Sequence, residues 1–315
     1  MAGPGGDRGQ AIQVGAILLF TILVIALAVQ QAYLVPNQDR QVEFDHFTGV
    51  QNDMEHLRNT VMTAGQQGLT LPAGVTLGTR YPPRLLTVQP PGASGSLRTH
   101  TIGGAGDVIR LEHTSANVSK ICGLGTLTTR TVTYTPQYNY LHSVANVTYE
   151  NTVAYTTGRS GGRYVQTGQA IVSGTTIHLY PLVGPYNQSG SGTASMTLYG
   201  GVTGKNDSVR GPFSLLLPTR LSAGTWRNLT SGQSTVQSVP GSEAVNITFS
   251  GGKNYTLKCS PVGAGSPPGN TSTAGAKTND VSPSFGSHVT LRHRRGPDPV
   301  RRSDRLGVDE RTWYG

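Results

Sequence analysis

The sequence predicts a mainly β fold carried on a long N-terminal α-helix: a helix of transmembrane character, an antiparallel β-sandwich-type ectodomain, and a disordered C-terminal tail. Three observations predict it. An uncharged apolar run lies near the N-terminus, short Val-, Thr- and Tyr-rich segments alternate with Gly-rich turns through the middle, and apolar residues thin out beyond about Pro261. With 42 glycines and 13 tyrosines in 315 residues, the composition favours short strands and turns over long helices.

Residues 1–9 form a short leader with one cation, Arg8. From Ala11 to Val35 no residue is charged, and Val14 to Val29 is apolar apart from Thr21. A helix of that length spans roughly 37 Å, enough to cross a hydrocarbon core of about 30 Å. Residues 10–36 are therefore the hydrophobic transmembrane helix. Three fates compete for it. An ordinary signal peptidase would cut after Ala26-Leu27-Ala28, leaving a mature start near Val29, whereas an uncut anchor would keep everything. In the third, cleavage between Gly9 and Gln10 removes the leader and retains the helix. The run Arg8-Gly9-Gln10-Ala11-Ile12 resembles the archaeal prepilin signal, with a cation, a Gly at the cut, a polar residue and then the apolar helix.

Residues 37–67 read as an amphipathic helix. Phe47, Val50, Met54, Leu57, Val61 and Ala64 recur at spacings of three and four, a stripe that marks a helix interface. An apolar half, Pro36 and an amphipathic half together resemble the long first helix of type IV pilins. An anchor followed by a juxtamembrane helix packed on its own domain produces the same stripe. The segments RGQAIQVGAILLF, VEFDHFTGVQNDMEHLRN, LGTRYPPRLLTVQPPGASGSLRT, LPTRLSAGTWRNL and NYTLKCSPVGAG, in that order, resemble an uncharacterised group of haloarchaeal exported proteins. That resemblance implies a membrane-anchored surface protein with a pilin-like signal, and no biochemical activity. Two features depart from the pattern: the chain is basic, and cleavage after Gly9 puts Val14 at the fifth mature position, where bacterial-type pilins carry Glu.

Residues 68–262 read as a β-rich extracellular domain. Strand signals fall at Arg84–Gln89, Asp107–Glu112, Arg130–Thr135, Val144–Glu150, Thr152–Thr157, Thr175–Tyr180, Ala194–Tyr199 and Glu243–Ser250, with Gly158–Gly162 as a hairpin tip. One helical interruption is expected over Thr219–Leu229, capped by Thr219, with Trp226 as a core plug. Residues 263–315 are rich in Ser, Pro, Gly and Thr and then in Arg, and read as a disordered basic tail.

Cys122 and Cys259 are the only cysteines. They cannot make a zinc site, and in an exported chain they would pair as one disulfide; two independent buried thiols are the alternative. Asn-x-Ser/Thr triplets fall at Asn117, Asn146, Asn187, Asn206, Asn228, Asn246, Asn254 and Asn270, eight of the eleven asparagines from Asn117 onward. That enrichment indicates an N-glycosylated, outward-facing body, with Asn228 the weakest member because it follows Trp226 on the expected helix.

Chemistry-bearing motifs are not evident. There is no HExxH or P-loop spacing, and Asp45, His46, Asp53, Glu55 and His56 read as solvated positions of the amphipathic helix. No enzyme, cofactor or metal is expected. Formal net charge is +9, a basic excess suited to an acidic surface polymer, with no nucleic acid expected. The reading is thus a membrane-anchored cell-surface glycoprotein of type IV pilin-like kind. It would be single-pass, with a cytoplasmic N-terminus and an extracellular body, and would be a filament or pseudopilus subunit. Its partners would be the membrane and other copies or pilin-like subunits, met through the N-terminal helix. The alternative is a monomeric surface anchor whose sandwich binds a ligand or surface polymer.

Overall fold

The structure, a computed structural model, describes residues 7–84, 90–102, 108–112, 121–122, 127–232 and 234–268. Most of the expected strand Arg84–Gln89, the start of Asp107–Glu112, the acceptors Asn117 and Asn270 and the basic tail from 269 lie outside these residues.

The N-terminal segments form one continuous helix, so the expected division at residue 36 is not a break. Helix α1 (Asp7–Val29) passes through a π-helical turn, Gln30–Leu34, into α2 (Val35–Gln67). Pro36 sits in the first turn of α2. In a regular α-helix its ring would clash with the carbonyl four residues back, and it offers no N–H. The wider turn just before it, in which the Val35 N–H bonds to Gln30 O, gives the chain room at that point. Helix α2 ends at Gly68, whose φ of 64° is left-handed, with the Leu69 N–H on Ala64 O.

The described strands form four sheets. The first orders Thr70–Thr76, Thr193–Gly200, Val262–Ala264 and Leu182–Val183. A six-stranded second sheet orders Asn187–Gly190, Ser94–Thr101, Arg130–Gln137, Asn146–Glu150, Val153–Thr157 and Arg163–Val165. In the third lie Gly204–Arg210, Asn254–Cys259, Thr176–Leu179 and Val172–Ser173, and in the fourth Thr235–Ser238, Ala244–Phe249, Phe213–Pro218 and Arg110–Glu112. The hairpin tip at Gly158–Gly162 forms as expected, closed by the Gly158 N–H on Gly162 O.

Not every pairing is antiparallel. Thr176–Leu179 runs parallel to Asn254–Cys259, and Leu182–Val183 runs parallel to Val262–Ala264. Both belong to one feature: two segments travel side by side from the third sheet into the first, linked between them by Ser260 N–H to Leu179 O and Val262 N–H to Pro181 O. Pro181 and Pro261 face each other in this register, and neither can donate to the ladder. The regular ladder therefore lapses where the chain changes sheets. The β body also extends beyond residue 262, because Val262 and Ala264 are buried and paired.

Two apolar clusters fill the body. One lies under α2, where Val50, Met54, Leu57, Val61 and Ala64 meet Leu97, Tyr134, Tyr149, Met196 and Leu198. Gly200 permits the close approach: a Cβ there would stand 2.0 Å from Ala64 O. The second cluster surrounds Trp226, with Leu215, Ile247, Phe249, Leu257 and the cysteines. Trp226 is fully enclosed, as expected of a plug. The helix bearing it, α3, starts later than predicted, at Ala223–Leu229, and its cap is Ser222, which accepts from the Thr225 N–H at 3.1 Å. Thr219 is instead buried, accepting from Trp226 Nε1 at 2.9 Å and donating to Glu150.

The stripe and the apolar half respond oppositely to truncation. Leu57→Ala should cost about 2–5 kcal/mol through the cavity it leaves. Phe20→Ala, on the exposed half, should leave unfolding of the body unchanged. Near-UV circular dichroism melts of detergent-extracted protein read both.

Candidate functional site

The stripe makes its interface with the chain's own body. Phe47 is half-buried and Val50, Met54, Leu57 and Val61 are fully covered by strands of the first and second sheets. They are thus committed within the chain. The first half of the helix is the reverse. Its apolar side chains, from Ile12 at 74% to Val24 at 45%, are exposed, and the helix is long and apolar enough to cross a membrane. Arg8, Gly9 and Gln10 lie in its first turns.

Between the two halves sits a polar clamp that sequence reasoning missed. Asp39 and Glu43, one helical turn apart, are both fully buried. Arg84 reaches Asp39 with two bonds, at 2.6 and 3.1 Å, and this hydrogen-bonded carboxylate raises the guanidinium's pKa further. Glu43 accepts from the Tyr81 hydroxyl at 2.5 Å and from the backbone N–H groups of Asn139, Tyr140 and Leu141, the closest being Leu141 at 2.6 Å. Asn139 Nδ2 closes the ring by donating to the Tyr81 oxygen and to Pro91 O. Burial, then the bond to Glu43, pushes the Tyr81 phenol well above its ordinary range. One carboxylate thereby organises two loops of the body around the base of the helix.

Further ties follow along α2. His46 is half-buried, with Nδ1 on the Tyr138 hydroxyl at 2.6 Å, and burial holds its pKa below the ordinary value. Asp53 accepts from the Thr76 N–H at 2.8 Å. These two depart from the solvated reading; Asp45, Glu55 and His56 are exposed as expected. Arg58 donates to Thr152 O and Gly168 O. Thr152 belongs to a two-residue turn, Asn151-Thr152, with φ of 47° and 69° and both side chains buried. A β-branched residue pays steric strain there. Three bonds hold it: the Arg58 contact, Asn151 Nδ2 to Pro218 O, and the Ala170 N–H to Thr152 Oγ1.

At the far end, Gln66 Nε2 donates to the Tyr180 hydroxyl, which meets His178 Nδ1 at 2.8 Å, while His178 Nε2 meets Ser260 Oγ at 2.8 Å. Thr203 bridges Ser260 Oγ and Gly65 O. A serine beside a histidine suggests a nucleophile, but Ser260 is fully enclosed under Gly65, and a phenol rather than a carboxylate faces Nδ1. The chain of bonds ties the last helical turn to the sheets. Glu150, the third enclosed acid among the described residues, is bonded by Thr219, the Tyr155 hydroxyl and the Arg220 N–H, and burial raises its pKa.

Cys122 and Cys259 stand at disulfide distance, Cα–Cα 5.1 Å, far apart in sequence. Of the glycan acceptors, Asn187, Asn228 and Asn254 are exposed, Asn228 among them despite its helix. Asn146 and Asn246 are half-buried. Among the described residues, no cluster of three or more His, Cys, Asp or Glu side chains could hold a metal ion. Comparison with protein-family models, curated proteins and solved structures finds no match to this chain.

Removing the Glu43 carboxylate should loosen the helix from the body. Glu43→Ala strands a phenol and three backbone donors and should lower stability by about 3 kcal/mol, whereas Glu43→Gln, which keeps one acceptor, should cost less. Hydrogen exchange at Asn139–Leu141 would rise selectively in the alanine variant.

His178 yields a pH prediction. Burial, reinforced by Lys258, lowers its pKa from 6.5 to about 4. As pH falls between these values the unfolded chain takes up the proton first, so the stabilisation is present above about pH 6.5 and lost toward pH 4. The melting advantage of wild type over His178→Gln should therefore shrink across that window.

Proposed function

We propose that this chain is a membrane-anchored surface protein of type IV pilin-like kind, cleaved between Gly9 and Gln10 and assembling through its retained apolar helix into a filament or pseudopilus. The observation that carries this reading is one unbroken helix with two opposite fates. Among the described residues its apolar half is largely exposed, while its second half is held by the stripe, the Asp39–Glu43 clamp and the Gln66 clasp. A simple tether needs only a flexible linker. A subunit that must present its body at a defined angle to neighbouring helices needs a stiff shaft, and the helix runs unbroken past Pro36.

In this reading the body is an elaborated antiparallel sandwich displayed outside the cell, with Arg8 on the cytoplasmic side. Cys122 and Cys259 are joined there, contributing roughly 4–5 kcal/mol by closing a long loop. Asn187, Asn228 and Asn254 are the acceptors best placed for glycans.

N-terminal sequencing of membrane-extracted protein tests the processing. A start at Gln10 is expected, and Gly9→Val should block it, since a branched side chain restricts the backbone that glycine leaves free. A start near Val29 would end the filament and anchor readings together. Shearing of intact cells separates those two: release as high-mass filaments is expected, and retention with membranes would favour a monomeric anchor.

A further inference from the structure

The six-stranded sheet ends in Arg163–Val165, which pairs with Val153–Thr157 on one side and with no described strand on the other. All three of its residues are exposed, Tyr164 at 68%. Outer backbone groups and a tyrosine ring are thus open to a partner. The hairpin tip adds Arg159, also exposed, and from Asn151 to Asn206 the chain has no Asp or Glu. Among the described residues neither Arg159 nor Arg163 makes an ion pair. The open side of α2 has the opposite charge. Asp45, Asp53 and Glu55 are exposed there, and the only Lys or Arg from Gln41 to Gln67 is Arg58, which is turned onto Thr152 O and Gly168 O.

These two surfaces stand level along the shaft. Arg58 bonds to Thr152, just before Val153, so the hairpin starts at that height on α2. Its tip reaches back toward the apolar half: Arg159 borders a cavity with Leu141 and His142, and these two border another with Phe44 and Phe47. The arginines therefore flank the stretch from Phe44 to Arg58. Within it Asp45 and Glu55 lie ten residues, or about 15 Å, apart.

We propose that the basic edge formed by Arg159, Arg163 and Tyr164 docks on the acidic open side of α2 in a second copy of the chain. Charge complementarity selects this occupant, since each copy carries both surfaces. Height does so too. Two chains held by parallel apolar helices in one membrane stand at equal depth, which brings the arginines of one level with Asp45 and Glu55 of the other. Because the contact joins two different surfaces, it can repeat from copy to copy. The inference deepens the filament reading and rests on copies standing side by side.

Energy transfer between donor- and acceptor-labelled copies of the full chain, reconstituted in vesicles of neutral phosphatidylcholine, tests it. Association is expected for wild type, weakened at about 1 M salt, where screening acts within about 3 Å. Arg159→Glu with Arg163→Glu, or Asp45→Arg with Glu55→Arg, should each lower association about tenfold. Mixing the two variants should restore it, because each reversed edge then faces a reversed helix. Lys253→Glu, on an exposed turn elsewhere, should change nothing. Near-UV circular dichroism establishes folding, and where a double variant fails, Arg159→Glu and Glu55→Arg alone make the same comparison. No wild-type association, indifference to the reversals, or a mixture no better than its components would each overturn the contact. Clustering of wild type only on adding phosphatidylglycerol or pectate would overturn it as well, assigning the arginines to an acidic lipid or polymer. Failure here while sheared cells release filaments would leave the proposed function standing, and restoration by mixing without filaments would leave the contact alone.

Discussion

A carboxylate enclosed by protein must find donors for its lone pairs, and Glu43 finds four, from one phenol and three consecutive backbone amides. Those donors come from two loops distant in sequence, around Tyr81 and around Asn139–Leu141. Both loops close on this charge, and Asn139 ties them further by donating to the Tyr81 oxygen and to Pro91 O. Asp39, one turn earlier, repeats the arrangement with Arg84. The whole relation of helix to body starts at this point: the stripe from Phe47 onward lies on the sheets because the helix leaves the clamp at a fixed angle and phase.

Beyond the clamp, packing takes over. The stripe contributes the bulk of the attraction, each buried side chain about 1.5–3 kcal/mol, but apolar contact is non-directional. Direction comes from Asp53 on Thr76, Arg58 on the strained turn at Thr152, and Gln66 on Tyr180. Apolar burial thus holds the helix on, and the polar ties determine its register. The same economy operates at the change of sheets, where Pro181 and Pro261 interrupt a parallel ladder and the chain passes from one core to the other.

Much of this was legible in the sequence. The apolar run and the stripe appear at full strength, since period and length are local properties. Arg130–Gln137, Asn146–Glu150 and Thr193–Gly200 were visible as alternating strands close to their observed limits. The clamp was legible in part: Glu43 stands seven residues before Val50, in phase with Leu57 and Ala64, and acids in phase with a buried face are a signal of burial. Its partners were not, because nothing local links Glu43 to an amide run almost a hundred residues later. Thr219 has the residue type of a cap, yet tertiary contact with Trp226 and Glu150 claims its hydroxyl and Ser222 takes the role.

What the sequence determined by itself is therefore what depends on neighbours within a turn or a strand: a helix able to span a membrane, an amphipathic continuation, short alternating strands, and an isolated pair of cysteines. Only the tertiary structure decided which face of the helix is committed within the chain and which stays open. It alone carried the helix through Pro36, set Lys205, Lys258 and His178 in a row, brought Cys122 to Cys259, and buried the carboxylates of Asp39, Glu43 and Glu150. These depend on register between segments distant in the chain, where the free energy of each contact comes from a partner that no local pattern encodes.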